Sequence, residues 1–337
     1  MNLVDMHCDT ISELMKASAD DTLAGNSLSI SIEGMEKVGT LAQFFACFVN
    51  AASFEEPKTS QDSRTAGQQK RISPAAWERA YRAVMKMIER MDGEQNEKVK
   101  IACNYSEIME NKKRRIISAV KTVEEGGIIS GKLSRLDTLY QAGIRLVTLT
   151  WNYANCLGYP NSREKTIMEK GLTGFGFQAV ERMNELGILV DVSHLSDGGF
   201  WDCIKISKVP ICASHSNARA LCNHPRNLTD EMLRALGEAG GGAGLNFYPP
   251  FLRENETAVL DDIARHAVHM IQVGGEGVVT IGTDFDGFHN EDREQWIGHV
   301  RDMGLVWEAM KKRGITERQL DKIMGENALR IIKEGMK

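Results

Sequence analysis

Proline is scarce in this chain, with 7 among 337 residues, and nowhere do about 18 apolar residues run together. The missing apolar run excludes a membrane-spanning helix. The amino terminus, Met1-Asn2-Leu3-Val4-Asp5-Met6-His7, has no basic segment followed by an apolar one. No signal peptide is therefore expected, and no lipid-anchor motif is seen. Cysteine occurs 7 times, an odd number, and never as Cys-x-x-Cys. The cysteines read as small buried hydrophobes in a reducing compartment, so a cytoplasmic location is expected. There is no long basic run, and 41 Lys+Arg stand against 46 Asp+Glu, giving a net charge of −5. That balance gives no support for a nucleic-acid partner. No Gly-x-Gly-x-x-Gly follows the first apolar run and no Gly-x-x-x-x-Gly-Lys-Ser/Thr occurs anywhere. The phosphate cradles of dinucleotide and P-loop folds are thus absent.

What is present is ordinary for a globular chain, with 42% apolar and 26% charged residues. One pattern recurs: a short β-branched run, a polar loop, an amphipathic helix, then a glycine. The runs are Leu3–His7, Leu41–Asn50, Ile116–Glu124, Ile144–Thr150, Ile188–His194, Val209–Ser214, Gly244–Tyr248 and Val278–Asp284. Between them, Ser73-Pro74 opens a helix with Trp77, Tyr81, Val84 and Ile88 on one face. Thr229 caps another, and Thr316 with Gln319 forms a capping box before further C-terminal helices. Strands alternating with helices imply a parallel sheet. Eight such units predict an α/β fold of the (β/α)₈ TIM-barrel type, one domain over residues 1–337. Two long loops, 51–75 and 152–172, are expected at the C-terminal face of the barrel.

In such a barrel the reactive groups come from strand C-termini. Here those ends read Asp5-Met6-His7-Cys8-Asp9, Val123-Glu124-Glu125, Asp191-Val192-Ser193-His194, Ala213-Ser214-His215-Ser216 and Thr283-Asp284-Phe285-Asp286-Gly287. A barrel interior wants Val, Ile and Leu, so imidazoles and carboxylates ending apolar strands need a reason. Metal is the economical one. His7 and Asp9 share a side of their strand by its period of two. Three imidazoles with hard oxygen ligands suit Zn²⁺, with Mn²⁺, Fe²⁺ or Co²⁺ tolerated. Two ions can share a carboxylate bridge. Each piece alone also has a plain structural reading, a hydrogen-bonded buried histidine or an Asp-x-Asp-Gly turn. It is the five strand ends together that point to a metal. His266 and His269 read as packing or surface groups on a helix, and His224, His289 and His299 receive no role.

These residues resemble the renal (membrane) dipeptidase type of metallopeptidase, a branch of the amidohydrolase-like barrels. The carrying motifs are Asp5–Thr10, Val123-Glu124, Val190–Ser196, Ser214-His215-Ser216, Arg226-Asn227 and Gly282–Gly287, in the family's order. The resemblance continues through Glu326-Asn327-Ala328-Leu329 and so spans nearly the whole chain. It implies two zinc ions, one held by His7, Asp9 and Glu124 and the other by Glu124, His194 and His215. Glu124 rather than Glu125 is taken as the bridge because it directly follows the strand valine. Glu125 stands where the family often has glycine.

The resemblance further implies that Arg226 meets the substrate's terminal carboxylate and that Asp284 moves the proton. Tyr248 lines the substrate pocket in this reading. One departure stands out: Trp151 occupies the place of the family's usual histidine, thought to help stabilise the tetrahedral oxyanion. Asn152, Tyr153 and Asn155 are the candidate replacement donors. The implied activity is hydrolysis of the single peptide bond of dipeptides, including those ending in a D-residue. Another amidohydrolase-type reaction (deaminase or lactonase) or a metal-binding barrel impaired in catalysis are the alternatives. A homodimer is the family expectation, although no interface signal appears in the residues.

Overall fold

A computed structural model describes residues 2–18, 20–56, 72–254, 257–288 and 297–337. Nine strands form one sheet: β1 Leu3–Cys8, β2 Thr40–Phe48, β3 Val99–Ile101, β4 Ile117–Glu124, β5 Ile144–Thr148, β6 Leu189–Asp191, β7 Cys212–Ala213, β8 Gly242–Leu245 and β9 Val279–Ile281. Neighbours run in the order β2-β1-β9-β8-β7-β6-β5-β4, all parallel, and β2 pairs with β4 to close the ring. The result is the closed eight-stranded barrel with helices that the alternating pattern predicts. The short β3 escaped that pattern. It pairs with the first half of β4 on the edge that β5 takes further along. Of the long 51–75 loop, residues 57–71 lie outside the described residues.

The strands after β5 are shorter than the apolar runs suggested, and the cause is local. At the ends of β6 and β7 the backbone N–H groups of Ser193 and Ser214 donate to Asp191 Oδ1 at 2.9 and 2.8 Å. His215 N donates to Ser193 Oγ at 3.1 Å, and Thr283 N to Asp5 Oδ1 at 3.0 Å. Side chains thus take over the ladder where the strands reach the mouth, which frees the following residues to turn inward. Gly244 and Gly282 lie against the Ser214 carbonyl, where a Cβ on either would collide with backbone. Glycine is required there for the strands to close beneath the site.

The expected helix signals operate. Ser73 accepts from Ala76 N ahead of Pro74–Gly93, which buries Trp77, Val84 and Ile88. Thr229 caps Asp230–Glu238, and Thr316 with Gln319 forms the capping box of Glu317–Asp321. The last helix, Asn327–Gly335, clusters Ala328, Ile331 and Ile332 with Val4, Met6, Phe44, Val120, Leu146 and Leu189. Its Arg330 donates to the carbonyls of Gly240, Gly241 and Gly277, just before β8 and β9. This helix covers the N-terminal end of the barrel and leaves the opposite mouth for chemistry.

Candidate metal centre and active site

Six side chains separated by up to 277 positions converge at that mouth. His7 Nε2 lies 3.4 Å from Asp9 Oδ2, 3.3 Å from Glu124 Oε2 and 3.7 Å from Asp284 Oδ1. The other oxygen of Glu124, Oε1, lies 3.0 Å from His194 Nε2 and 3.6 Å from His215 Nε2. His194 Nε2 and His215 Nε2 are 3.1 Å apart, and the His7 and His215 rings stack at 3.8 Å. The two groups His7–Asp9–Glu124 and Glu124–His194–His215 each bring their ligating atoms within 4.8 Å of one another, as does a third, His7–His215–Asp284. All five expected ligands and the expected proton carrier are therefore in one place.

Backbone geometry sends Glu124 and Glu125 to different places. Glu124 ends β4 in extended conformation, opposite Phe48 of β2, and enters the cluster. Glu125 has φ of 98°, in the left-handed region that glycine enters most easily. That turn carries its carboxyl away from the cluster. Oε1 accepts from Gly127 N at 2.9 Å and Asn155 Nδ2 at 2.7 Å, and Oε2 accepts from Trp151 N at 3.3 Å. His194, Asp284 and Asp286 also take positive φ, 68°, 61° and 67°. Strained backbone of this kind gathers where side chains must be aimed at a site.

The electrostatics suit a cation. Burial disfavours charge on Glu124, yet His7 and His194 beside it hold its carboxyl well below the usual range. Burial likewise opposes a charge on His7, but Glu124 and Asp9 prevail and raise its imidazole well above the ordinary value. The surroundings of Asp9, Glu124 and Asp284 thus favour a positive charge at this point, which a metal ion would supply in place of a proton. Burial, followed by the Arg226 charge, lowers His194 to about 4, and burial with the neighbouring His7 charge lowers His215 far below its usual value. Both stay neutral at pH 7, with lone pairs to offer. His7 Nε2 and Asp9 Oδ1 are buried without a hydrogen-bond partner among the described residues. Buried carboxylates and imidazoles converging with unsatisfied atoms among them are the donor set a divalent metal satisfies.

Asp284 is pushed up to about 6 by burial, and its Oδ2 accepts from Asn246 Nδ2 at 3.0 Å. A carboxyl near neutrality beside the cluster is poised to take and return a proton. Arg226 is buried, and burial lowers it to about 10. Its Nη1 donates to Ser216 Oγ at 2.7 Å and Nη2 to the His215 carbonyl at 3.0 Å, while Nε has no partner among the described residues. The guanidinium is held on one side and retains donors for an anion. A cavity of about 770 Å³ joins these groups, lined by Asp9, Glu124, Trp151, His194, Arg226, Tyr248 and Asp284 among others. Tyr248 thus lies where it was expected, although it follows β8 rather than ending it. Asn246 Oδ1 accepts from Tyr248 N at 2.7 Å and turns the chain out of the strand ahead of Pro249 and Pro250.

Trp151 lines the cavity, its ring 4.9 Å from Phe48, 5.8 Å from Tyr153 and 6.3 Å from His194. Of the donors proposed to replace the absent histidine, Asn155 is committed to Glu125 and to the Leu149 carbonyl, and Tyr153 donates to Asn50. Only Asn152 of the three lines the cavity. His266 is a packing group, with Nδ1 accepting from Ala218 N and Nε2 on the Leu252 carbonyl. His224, given no role, lines the cavity, and His289 lies outside the described residues. The sequence motifs contain Ser214, Asp5 and Asp191 without assigning them a role, and Asn246 lies outside those motifs. The aspartates were legible as carboxylates inside apolar strands, but their partners were not.

Membrane dipeptidase, peptidase family M19, matches residues 1–336. The chain belongs to this family. As an M19 protein it is a metallo-dipeptidase, a hydrolase of peptide bonds. It is 32% identical over 246 residues to an uncharacterized protein from the pqqA 5′ region of Klebsiella pneumoniae, covering 70% of this chain and 89% of that one. It is 33% identical over 210 residues to an uncharacterized dipeptidase of Schizosaccharomyces pombe, covering 61% of this chain and 50% of that protein. A solved metallopeptidase of Rhodobacter sphaeroides, liganded with a phosphinate mimic of the dipeptide L-Ala-D-Ala, superposes with a TM-score of 0.84. It shares 25% identity, with 99% of each chain covered. No helix among the described residues is long and apolar enough to cross a membrane. All seven cysteines are unpaired, five of them buried.

Proposed function

We propose that this M19 protein is a dipeptidase with two Zn²⁺ ions, one held by His7, Asp9 and Glu124 and the other by Glu124, His194 and His215. The observation that carries the reading is the split of Glu124. One of its oxygens is 3.3 Å from His7 and the other 3.0 Å from His194, as a bridging carboxylate requires. Zinc bound there supplies Lewis acidity and a nucleophile at neutral pH. The protein's own groups do the rest. Arg226 pairs with the substrate's free carboxylate and so places the C-terminal residue of the dipeptide. Asp284 accepts the proton of the attacking water and delivers it to the leaving amine. Phe48, Trp151 and Tyr248 form an apolar wall for side chains.

Substrates ending in a D-residue are included, supported by the L-Ala-D-Ala mimic bound to the Rhodobacter protein. The buried Arg226 with its unpartnered Nε favours a carboxylate-bearing substrate over the neutral rings of a deaminase or lactonase. The unpaired cysteines favour a reducing compartment, the cytoplasm. Purification with metal analysis, followed by a panel of L,L and L,D dipeptides, tests the reading. Two equivalents of zinc, chelator-sensitive turnover and rejection of amidated dipeptides are expected. A single equivalent in the fully active protein would overturn the bridging role of Glu124.

A further inference from the structure

Asp191 is wholly buried at the end of β6 and makes no contact with the cavity, yet it reaches the cluster through one intermediary. Its Oδ1 accepts two backbone N–H groups, from Ser193 at 2.9 Å and Ser214 at 2.8 Å. Its Oδ2 accepts two hydroxyls, Thr148 Oγ1 and Ser214 Oγ, each at 2.6 Å. Ser214 Oγ in turn lies 2.7 Å from His215 Nδ1. A hydroxyl has one proton. With that proton given to Asp191, Ser214 can only accept from His215, so Nδ1 carries the hydrogen and Nε2 carries the lone pair. Nε2 is the atom that faces Glu124 and His194. The other two imidazoles have no such brace: Nδ1 of His7 and of His194 is buried without a partner among the described residues.

We propose that Asp191 and Ser214 are positioning residues that fix the His215 tautomer and thereby its competence as a metal ligand. The inference rests on the binuclear reading above, but it also makes a claim about the metal-free protein. The polarity of the relay can be reversed by one atom. In Asp191→Asn the amide oxygen must stay at the Oδ1 position, because the two backbone N–H groups there cannot become acceptors. The amide NH₂ then replaces Oδ2 and donates to Ser214 Oγ. The Ser214 proton is driven toward His215 Nδ1, and the hydrogen of the imidazole moves to Nε2, where it blocks coordination. The other neighbour of that hydroxyl, Ser193 Oγ, is farther away at 3.4 Å. Ser214→Ala removes the relay without reversing it.

The test is a double-mutant cycle with two readouts. Zinc titration of the chelator-stripped protein should show one of two equivalents weakened about 10-fold in Ser214→Ala and about 100-fold in Asp191→Asn, the other equivalent being unchanged. Asp191→Asn combined with Ser214→Ala should bind better than Asp191→Asn alone, because no hydroxyl remains to press a proton on His215. Long-range ¹H–¹⁵N spectra of the metal-free proteins, with His215 assigned from His215→Gln, should report Nδ1–H in the wild type and Nε2–H in Asp191→Asn. A wild type that binds fewer than two equivalents refutes the binuclear reading, and the tautomer spectra still judge the relay. Two equivalents in the wild type with an unchanged tautomer in Asp191→Asn, or a double variant weaker than both singles, overturns the relay. Ser214→Ala, the smaller change, keeps the test open should Asp191→Asn not fold.

Discussion

Replacing Glu125 by glutamine should make the protein more stable at high pH relative to the wild type and abolish a pH dependence that the wild type carries. Burial raises the Glu125 carboxyl from 4.5 to about 7, against the lowering effect of its bonds to Asn155, Gly127 and Trp151. A group that binds its proton more tightly in the folded state favours folding while protonated. Its full contribution is present below about 4.5, and it declines as pH rises toward about 7. The gap between the two values corresponds to about 3 kcal/mol at 1.36 kcal/mol per unit. Glutamine resembles the protonated acid. Its oxygen can keep the bonds from Gly127 and Asn155 and it has no charge to desolvate, while the longer bond from Trp151 N is lost at every pH alike.

The measurement is the thermal midpoint of both proteins, stripped of metal, from about pH 5 to about pH 8. The difference between them isolates Glu125, since every other titrating group is common to both. It should move by about 2–3 kcal/mol over that interval, or roughly 5 °C for a chain of this size, with glutamine gaining as pH rises. A difference that stays flat across the interval would refute the claim that burial outweighs the hydrogen bonds of the Glu125 carboxyl, and with it the separation of its role from that of Glu124.

Glu124→Gln should abolish binding of both zinc equivalents, whereas Glu125→Gln should retain both; metal analysis after dialysis distinguishes them. Asp284→Asn should lower kcat about 10²–10⁴-fold with metal content unchanged, and undiminished turnover would remove it from proton transfer. Arg226→Ala should lower kcat/KM about 10–100-fold for free dipeptides and leave the already poor amidated ones little altered, since a charged hydrogen-bond partner is lost only for the former. Equal losses on both substrates would make Arg226 a structural group only.

The barrel was legible because its signals are local. Alternating runs, Ser73, Thr229 and Thr316 at helix starts, and Gly187 at a helix end with φ of 82° each act within a few residues. The side chains that gather at the mouth were legible because they follow strand ends, and strand ends can be counted along a sequence. Tyr248 and the lengths of β6, β7 and β9 were less legible. There the ladder yields to side-chain acceptors, Asp191, Ser193 and Asp5, which take donors from neighbouring strands far off in the chain, Ser214, His215 and Thr283. The short β3 carries only Val99–Ile101, too few residues for a period to show.

Glu124 and Glu125 show where a pattern stops carrying information. They are adjacent, chemically alike and both fully buried, so composition and spacing treat them as equals. What separates their roles is one dihedral angle, the φ of 98° at Glu125, which an L-residue adopts only when its surroundings hold it there. Those surroundings are Gly127, Trp151 and Asn155, two of them beyond the next helix and strand. A glycine, which the resemblance often leads one to expect here, would enter that conformation at little cost. This chain instead accepts the strain and uses the carboxylate to hold the segment that carries Trp151, the other departure from the family pattern. The two positions at which the chain departs from the resemblance are structurally linked, since the Glu125 carboxylate receives the backbone N–H of Trp151. A Glu125→Gly variant should accordingly change substrate preference through Trp151 while leaving zinc content intact, and a panel of dipeptides with bulky and small first residues reads that change. Unaltered preference across the panel would show that the two positions diverged from the family independently.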